Sequence, residues 1–194
     1  MGPTRSEEDR PQAALMSSVA ETLPNDKAGA DYWNAKWDKI VLPEAFNPFL
    51  GDTSNYRKRR FHEHFVSVVG SCATQGKKLV DIGSAQSVLL PYFGFEVAGL
   101  DRSAGGCVSS RLILRREGVN GRVYCADLFD PPKDTLEEYD VVFSYGVVEH
   151  FRNTVDCVAA MSRFLKPGGL MVTLIPTLSG IPRCFTKNIG SGRV

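Results

Sequence analysis

The sequence predicts an α/β domain: a doubly wound, mostly parallel sheet with helices on both faces. From Lys78 onward, short runs rich in Val, Ile, Leu and Phe alternate with helical patterns, as expected where helices cover both faces of a parallel sheet. The first run ends in a glycine turn at Gly83, where a ligand can approach the backbone closely. The second run ends in an acid, Asp101, 18 residues later. This distance is close to the ~20 residues expected of a nucleoside-binding βαβ unit.

Composition and charge restrict the classes of function. The chain has 194 residues, of which 43% are hydrophobic and 23% charged, enough for one domain with its own core. A formal net charge of +1 gives no global attraction to nucleic acid or to an anionic membrane. No run approaches the ~18 apolar residues of a membrane helix. The five cysteines are dispersed without a C-x-x-C pair, which predicts free thiols, no metal site and a cytoplasmic protein.

Four parts are expected along the chain. Residues 1–28 mix charged residues, Ser and Pro with few large apolar groups, which predicts a disordered N-terminal tail. Residues 29–72 are expected to form a helical N-terminal cap, and residues 73–180 the α/β domain. A short polar tail over residues 181–194 follows.

Two helices are predicted in the cap. The aromatic residues that recur at helical spacing in the first helix are Tyr32, Trp33 and Trp37. Ser54 is expected to begin the second helix as its cap, and the helix should end at Val69. The apolar residues expected on one face of this second helix are Phe61, Phe65 and Val68. Its first turn carries a basic run over residues 57–60, either a solvated face or a contact for an anionic substrate.

In the α/β domain, apolar runs and helical patterns set the expected elements. The strands are predicted over residues 79–82, 96–100, 122–126, 140–144 and 170–175. The helices are predicted over about residues 86–93, 104–117 and 153–165. Lys166, Pro167 and the two following glycines are expected to end the last helix and reverse the chain into the fifth strand.

Acidic residues lie at or just after the ends of three predicted strands, at the edge of the sheet where ligands bind in open α/β sheets. These acids are Asp81, Asp101 and Asp127, and together they suit a cationic ligand that bears hydroxyls and an amine. Asp101 could accept two hydrogen bonds from a ribose diol. Asp127 could accept one from an adenine amino group, with Leu128 adding backbone and apolar contact. Each acid alone is as consistent with a turn or helix-cap aspartate.

In this order the motifs resemble those of the class I, Rossmann-like methyltransferases, which use S-adenosylmethionine. The resemblance covers roughly residues 31–180. Residues 79–83 (Leu-Val-Asp-Ile-Gly) resemble the first motif, and residues 99–101 (Gly-Leu-Asp) resemble the second. Residues 125–128 occupy the place of the adenine-contacting acid. The segments that match the last two motifs are residues 139–144, 146–151 and 165–170.

The resemblance implies an S-adenosylmethionine-dependent methyltransferase and a set of site residues. The residues it assigns to the cofactor are Asp81, Gly83, Ser84, Ala85, Asp101, Arg102, Asp127, Leu128, Ser144 and Tyr145. His150 is the candidate catalytic base, with Glu149 beside it, although this pair could instead shape the cofactor pocket. The residues that could line the acceptor pocket are Trp33, Trp37 and Arg57. A small-molecule acceptor is expected, and neither nucleic acid nor a membrane.

The sequence departs from the family pattern in two places. The later glycines of the first motif are replaced by Ala85 and Ser87, and the segment that follows is about one helical turn short. After the predicted fifth strand the family continues with a helix and an antiparallel strand pair, whereas only residues 176–194 remain here. We therefore expect a C-terminally truncated enzyme without the final antiparallel strands, or one whose sheet is completed by a partner chain or a second copy.

Two alternatives remain open. The chain could be a truncated or catalytically inactive methyltransferase-like module. It could also be a nicotinamide-dependent oxidoreductase, whose fold places an acid at the same strand end. The oxidoreductase pattern Gly-x-Gly-x-x-Gly fails here, because Ala85 and Val88 stand where its second and third glycines belong.

Overall fold

The computed structural model of the protein describes residues 26–39, 41–47, 51, 53, 55–70, 74–85, 87 and 94–176. In this part of the chain the helices are α1 (Gly29–Trp37), α2 (Tyr56–Val69), α3 (Ala104–Arg116) and α4 (Thr154–Ser162). The strands are β1 (Lys78–Ile82), β2 (Glu96–Asp101), β3 (Arg122–Cys125), β4 (Tyr139–Tyr145) and β5 (Leu165–Leu174). Short 3-10 helices lie at Lys133–Thr135 and Val148–His150.

The five described strands form one sheet in the order β3-β2-β1-β4-β5, and every neighbouring pair is parallel. The carboxyl ends of all the strands therefore lie at one edge, which we call the rim. The strand order reverses between β1 and β4, and in such sheets the crevice at the reversal is the usual place for a ligand. The predicted doubly wound α/β class is confirmed.

Alternate residues of each central strand face opposite sides of the sheet, and helices cover both sides. Val80 and Val142 pack with Met161 of α4 on one side. On the other side, Leu79 belongs to one apolar cluster with Phe65 of α2 and Leu114 of α3. The strands therefore lack the apolar–polar alternation of a half-exposed sheet, which is why their sequences read as continuous apolar runs.

Two helix predictions need correction or fall outside the description. On α2 the buried apolar residues are Phe65 and Val69, while the predicted Val68 is 45% exposed. The spacing of four residues keeps Val69 on the face of Phe65, whereas Val68 turns toward solvent. Ser54 and most of the helix predicted over residues 86–93 lie outside the described residues.

Strand β5 begins five residues earlier than predicted. Tyr139 pairs with Leu165 and Val141 pairs with Leu170, so residues 166–169 form a bulge opposite a single residue of β4. Gly168 in this bulge has φ of +78°, a conformation that favours glycine. Lys166 was predicted to interact with the end of the preceding helix. Its ammonium instead donates a hydrogen bond to Asp140 Oδ2 at 2.9 Å. The segment is thus a strand irregularity and not the predicted turn.

The prediction that all five cysteines are free thiols is wrong. Cys107 of α3 and Cys125 of β3 form a disulfide, with their Cα atoms 5.9 Å apart. The sheet register places Asp101 opposite Cys125, so helix α3, which starts just after Asp101, brings Cys107 to the same place. Cys157 is a buried free thiol, and burial raises its pKa to about 11. None of the helices described is both long and apolar enough to span a membrane.

Candidate cofactor and acceptor site

The turn after β1 lies at the crevice between β1 and β4. Gly83 has φ of +76°, and its N–H donates to the carbonyl of Leu100 at 2.8 Å. A Cβ built at Gly83 would lie 2.6 Å from Cγ2 of Val147, in the loop after β4. A residue without a side chain is therefore needed here for both its conformation and its space. Glycine leaves backbone facing the crevice, as the first motif requires.

Ser84 and Ala85 continue this turn with their side chains buried. The Ser84 hydroxyl lies 3.0 Å from the Ser110 hydroxyl of α3, and a Cβ at Gly99 would lie 2.4 Å from it. The Ala85 N–H donates to the carboxylate of Asp101. Any contact of Ser84 and Ala85 with a cofactor therefore falls to their backbone and not to their side chains.

Asp81 is the second-to-last residue of β1 and is only 2% exposed. Loss of solvent raises its pKa from 3.8 to about 7, opposed by a hydrogen bond from the Ser87 hydroxyl and assisted by the charge of Asp101. A buried carboxyl with a pKa near neutrality responds strongly to a nearby cation, because the cation favours the ionised form.

Asp101 ends β2 and is 7% exposed. Its Oδ1 accepts hydrogen bonds from the N–H and the hydroxyl of Ser103, each at 2.8 Å. Ser103 in turn caps α3, its hydroxyl accepting from Gly106 N–H at 3.1 Å. Burial raises the pKa of Asp101, and the bonds from Ser103 and Ala85 oppose that rise. The helix-cap role that the sequence left open is thus present, beside the predicted ribose role.

Arg102 and Asp127 meet across the ends of β2 and β3. Arg102 Nη2 lies 3.8 Å from Asp127 Oδ2, and Asp127 Oδ1 accepts from the N–H of Phe129 at 2.8 Å. Leu128 beside them is buried. The structure therefore brings Asp101, Arg102, Asp127 and Leu128 to one part of the rim.

The two residues predicted at the end of β4 differ in their exposure. Ser144 is fully buried, and its hydroxyl lies 3.1 Å from the Thr173 hydroxyl of β5. Tyr145 is 62% exposed, and its ring stacks on Phe61 of α2 with centroids 6.4 Å apart. Of the two, only Tyr145 presents its side chain outside the sheet.

The candidate base lies against the cap. His150 ends the 3-10 helix after β4, and its ring meets the edge of Trp33 with centroids 4.7 Å apart at 79°. Trp37 lies one turn further along α1, with its backbone against α3: a Cβ at Gly105 would lie 2.3 Å from the Trp37 carbonyl oxygen. Arg57 lies in the first turn of α2, but its side chain is outside the described residues. Of the two predicted acceptor residues whose side chains are described, Trp33 is thus the one in ring contact with the candidate base.

Sequence reasoning missed Asp26, which lies within the predicted disordered tail and yet is buried. Its Oδ2 is 2.8 Å from Arg102 Nη1, and it forms a backbone bridge with Phe151. One signal could have indicated it. An Asp just before an aromatic helical pattern is typical of a helix start, and Asp26 Oδ1 accepts from the N–H of Ala28, which precedes α1.

Comparison with known proteins identifies the domain. Residues 80–173, which contain the last three residues of β1, all of β2 to β4 and most of β5, match the family model described as a methyltransferase domain. The chain carries a class I methyltransferase domain. S-adenosylmethionine is the cofactor of this class.

A curated relative of this chain is the ubiquinone biosynthesis O-methyltransferase of Bradyrhizobium sp. (strain ORS 278). The two are 27% identical over 173 residues, which cover 87% of this chain and 66% of the relative. The chain thus spans somewhat less than two thirds of that protein's length.

Two solved structures share the fold of this chain. Geranyl diphosphate C-methyltransferase from Streptomyces coelicolor A3(2) has a TM-score of 0.53 at 22% identity, covering 78% of this chain and 64% of that one. The [4+2]-cyclase SpnF has a TM-score of 0.57 at 13% identity, covering 77% and 60%. At these identities the likeness concerns the fold alone, and a cyclase with this fold shows that the fold does not fix the reaction.

Proposed function

We propose that the protein is an S-adenosylmethionine-dependent methyltransferase that acts on a small-molecule acceptor. The observation that carries the proposal is the convergence of the Gly83 turn with the carboxyls of Asp81 and Asp101 at the reversal of strand order, inside a matched methyltransferase domain. The comparisons favour this function over the nicotinamide-dependent alternative.

The residues at the rim fit the cofactor of this class. The backbone of residues 83–85 would hold its methionine part, Asp101 its ribose, and Asp127 with Leu128 its adenine. When bound, the cofactor supplies a methyl group on a positively charged sulfur. Asp81 and Asp101 contribute negative charge at this end of the sheet, and the cation in turn favours their ionised forms.

For a hydroxyl acceptor, a base must remove one proton as the methyl group is transferred. We assign this role to His150, since imidazole can accept a proton near neutral pH. Trp33 against its ring gives the acceptor pocket an aromatic wall. A named O-methyltransferase among the curated relatives supports oxygen as the acceptor atom.

Ligand binding tests the function directly. Thermal shift and calorimetry with S-adenosylhomocysteine, and with NAD as comparison, are expected to give stabilisation by the first ligand only. Asp101→Asn is expected to weaken S-adenosylhomocysteine binding at least tenfold. Asp134→Asn, at an exposed position outside the proposed site, is the matched control and should bind as the wild type does. Stabilisation by NAD, or by neither ligand, would contradict the proposal.

Three further assignments belong to this proposal. We divide the chain into a tail, a helical cap over residues 29–72 and a cofactor-binding domain over 73–180, although Asp26 already contacts the rim. A partner chain or second copy beside β5 stays a prediction, which sedimentation would test. So does a cytoplasmic location, whose argument from free cysteines is weakened by the Cys107–Cys125 disulfide.

A further inference from the structure

We propose that Asp26 is a positioning residue that sets Trp33 against His150 and holds Arg102 away from Asp127, so that Asp127 is kept available for the cofactor. The inference rests on the proposed function for its cofactor part. Its structural part, the placement of Trp33, can be tested without any ligand.

The carboxylate of Asp26 joins three separate parts of the chain. Its Oδ1 accepts from the N–H of Ala28 at 2.9 Å. Its Oδ2 accepts from the indole N–H of Trp33 at 3.2 Å and from Arg102 Nη1 at 2.8 Å. A buried carboxylate is tolerated only when such donors replace water. Both oxygens of Asp26 therefore have defined partners, which fixes its direction.

Backbone contacts hold the same segment to the loop after β4. Asp26 pairs with Phe151 in an antiparallel bridge, and the N–H of Lys27 donates to the His150 carbonyl at 2.8 Å. The Lys27 ammonium donates to the Glu149 carbonyl at 3.0 Å. The segment that carries the candidate base is thus held from the cap side, over a separation of 122 residues.

The side-chain contact of Asp26 decides the orientation of Trp33. The indole N–H of Trp33 bonds to Asp26, and the ring then meets His150 at 79°. An edge-to-face contact depends on this angle. Loss of the acceptor at Asp26 removes the hydrogen bond that directs the indole, so the contact with His150 should loosen.

Arg102 is shared unequally between two carboxylates. It lies 2.8 Å from Asp26 and 3.8 Å from Asp127, so the shorter, charge-assisted bond draws the guanidinium toward the cap. Without the charge of Asp26, Arg102 is expected to move to Asp127, the acid proposed to accept from adenine. Asp26 would then affect cofactor affinity without touching the cofactor.

Two variants and one control test this inference in a Trp37→Phe background. The chain has two tryptophans, so Trp33 is then the sole tryptophan and its fluorescence reports its own surroundings. Asp26→Asn keeps the size of the side chain but removes its charge and replaces one of its two acceptor oxygens with an NH2 donor. Arg102→Gln breaks the same ion pair from the sheet side and serves if Asp26→Asn does not fold. Asp31→Asn, at an exposed position on α1, is the matched control.

Asp26→Asn and Arg102→Gln are both expected to shift Trp33 emission to longer wavelength and to raise its quenching by acrylamide at least twofold. Asp26→Asn should weaken S-adenosylhomocysteine binding about fivefold or more by calorimetry at a temperature where every variant is folded. Asp31→Asn should match the parent in both measurements.

Unchanged Trp33 emission and quenching in Asp26→Asn would overturn the inference. If Trp33 emission and quenching change in Asp26→Asn but S-adenosylhomocysteine affinity does not, the proposed effect of Asp26 on cofactor binding is overturned. If the parent itself does not bind S-adenosylhomocysteine, the proposed function fails, and the fluorescence comparison alone then decides whether Asp26 sets Trp33.

Discussion

The carboxyls of Asp81 and Asp101 lie near the ends of neighbouring parallel strands, and the charge of Asp101 raises the cost of ionising Asp81 in a region almost closed to solvent. Asp81 lies opposite Gly99 in the register of β1 and β2, two residues before Asp101. The charge of Asp101 and burial together raise the pKa of Asp81 to about 7. Such placement costs stability and is typical of sites where charge is used for binding.

We expect the stability of the ligand-free protein to fall as pH rises from about 4 to above 7. Asp81 has a higher pKa in the folded chain than in the unfolded chain, so the folded state binds more protons within this window. Its contribution is complete below pH ~4 and is lost as pH passes ~7, with a slope of at most ~1.4 kcal/mol per pH unit. The pKa of Asp101 is also raised, so Asp101 contributes a further loss of stability as pH rises. Denaturant unfolding at a series of pH values measures this slope.

Asp81→Asn should flatten this pH dependence, because the amide does not titrate. Asp134→Asn, at an exposed position, should leave the slope as in the wild type. An equally steep slope in Asp81→Asn would exclude Asp81 as its source.

Gly83→Ala is expected to lower both stability and cofactor affinity. Positive φ costs a non-glycine residue roughly 1–2 kcal/mol, and the added Cβ also meets Val147 at 2.6 Å. Gly76→Ala is a matched control: Gly76 has φ of +72° but no atom within 4 Å of a built Cβ. The control should lose only the conformational part and bind S-adenosylhomocysteine normally. Equal losses in unfolding free energy for the two variants would refute the steric contribution of Val147.

Reduction of the Cys107–Cys125 disulfide should lower the melting temperature. The bridge spans a sequence separation of 18, and closing a loop of this size contributes about 3 kcal/mol in the chain-entropy model. Cys125→Ser should melt like the reduced wild type, with or without reductant. Cys157→Ala, which removes a thiol outside the bridge, should keep the response to reductant. A wild-type melting temperature insensitive to reductant would count against the bridge.

Gly105→Ala should displace the end of α1. The new methyl group would lie 2.3 Å from the Trp37 carbonyl oxygen, a backbone atom that cannot rotate away. In a Trp33→Phe background, the emission of Trp37 is expected to shift toward that of a solvated indole. Val108→Ala, at an exposed position of the same helix, provides the comparison and should leave the emission unchanged.

Local pattern was sufficient for the centre of the sheet. The bounds of β1 and β2 were predicted to within one residue, because strands covered on both faces are continuous apolar runs bounded by turn residues. The start of β5 was predicted wrongly, because the Pro-Gly-Gly run at residues 167–169 has the local sequence of a turn. Pairing with β4 nevertheless draws Leu165 into the sheet, and the bulge accommodates the glycines.

Residues whose partners are distant in sequence escaped prediction. Asp26 acts through Arg102, 76 positions away, and no local pattern around Asp26 contains that information. The Cys107–Cys125 bridge likewise follows from the register of β2 and β3. The rim acids could be found because the carboxyl ends of parallel strands must share an edge. Their burial, and hence their raised pKa values, could not.

Helix α1 contains nine residues, fewer than the ~12–15 that an isolated helix needs to persist in water. Its coil-to-helix transition and its docking are therefore a single thermodynamic event. We therefore expect entry of the proposed acceptor past Trp33 to require local melting of α1 instead of a hinge swing between rigid bodies, and amide hydrogens along the whole of α1 to exchange together.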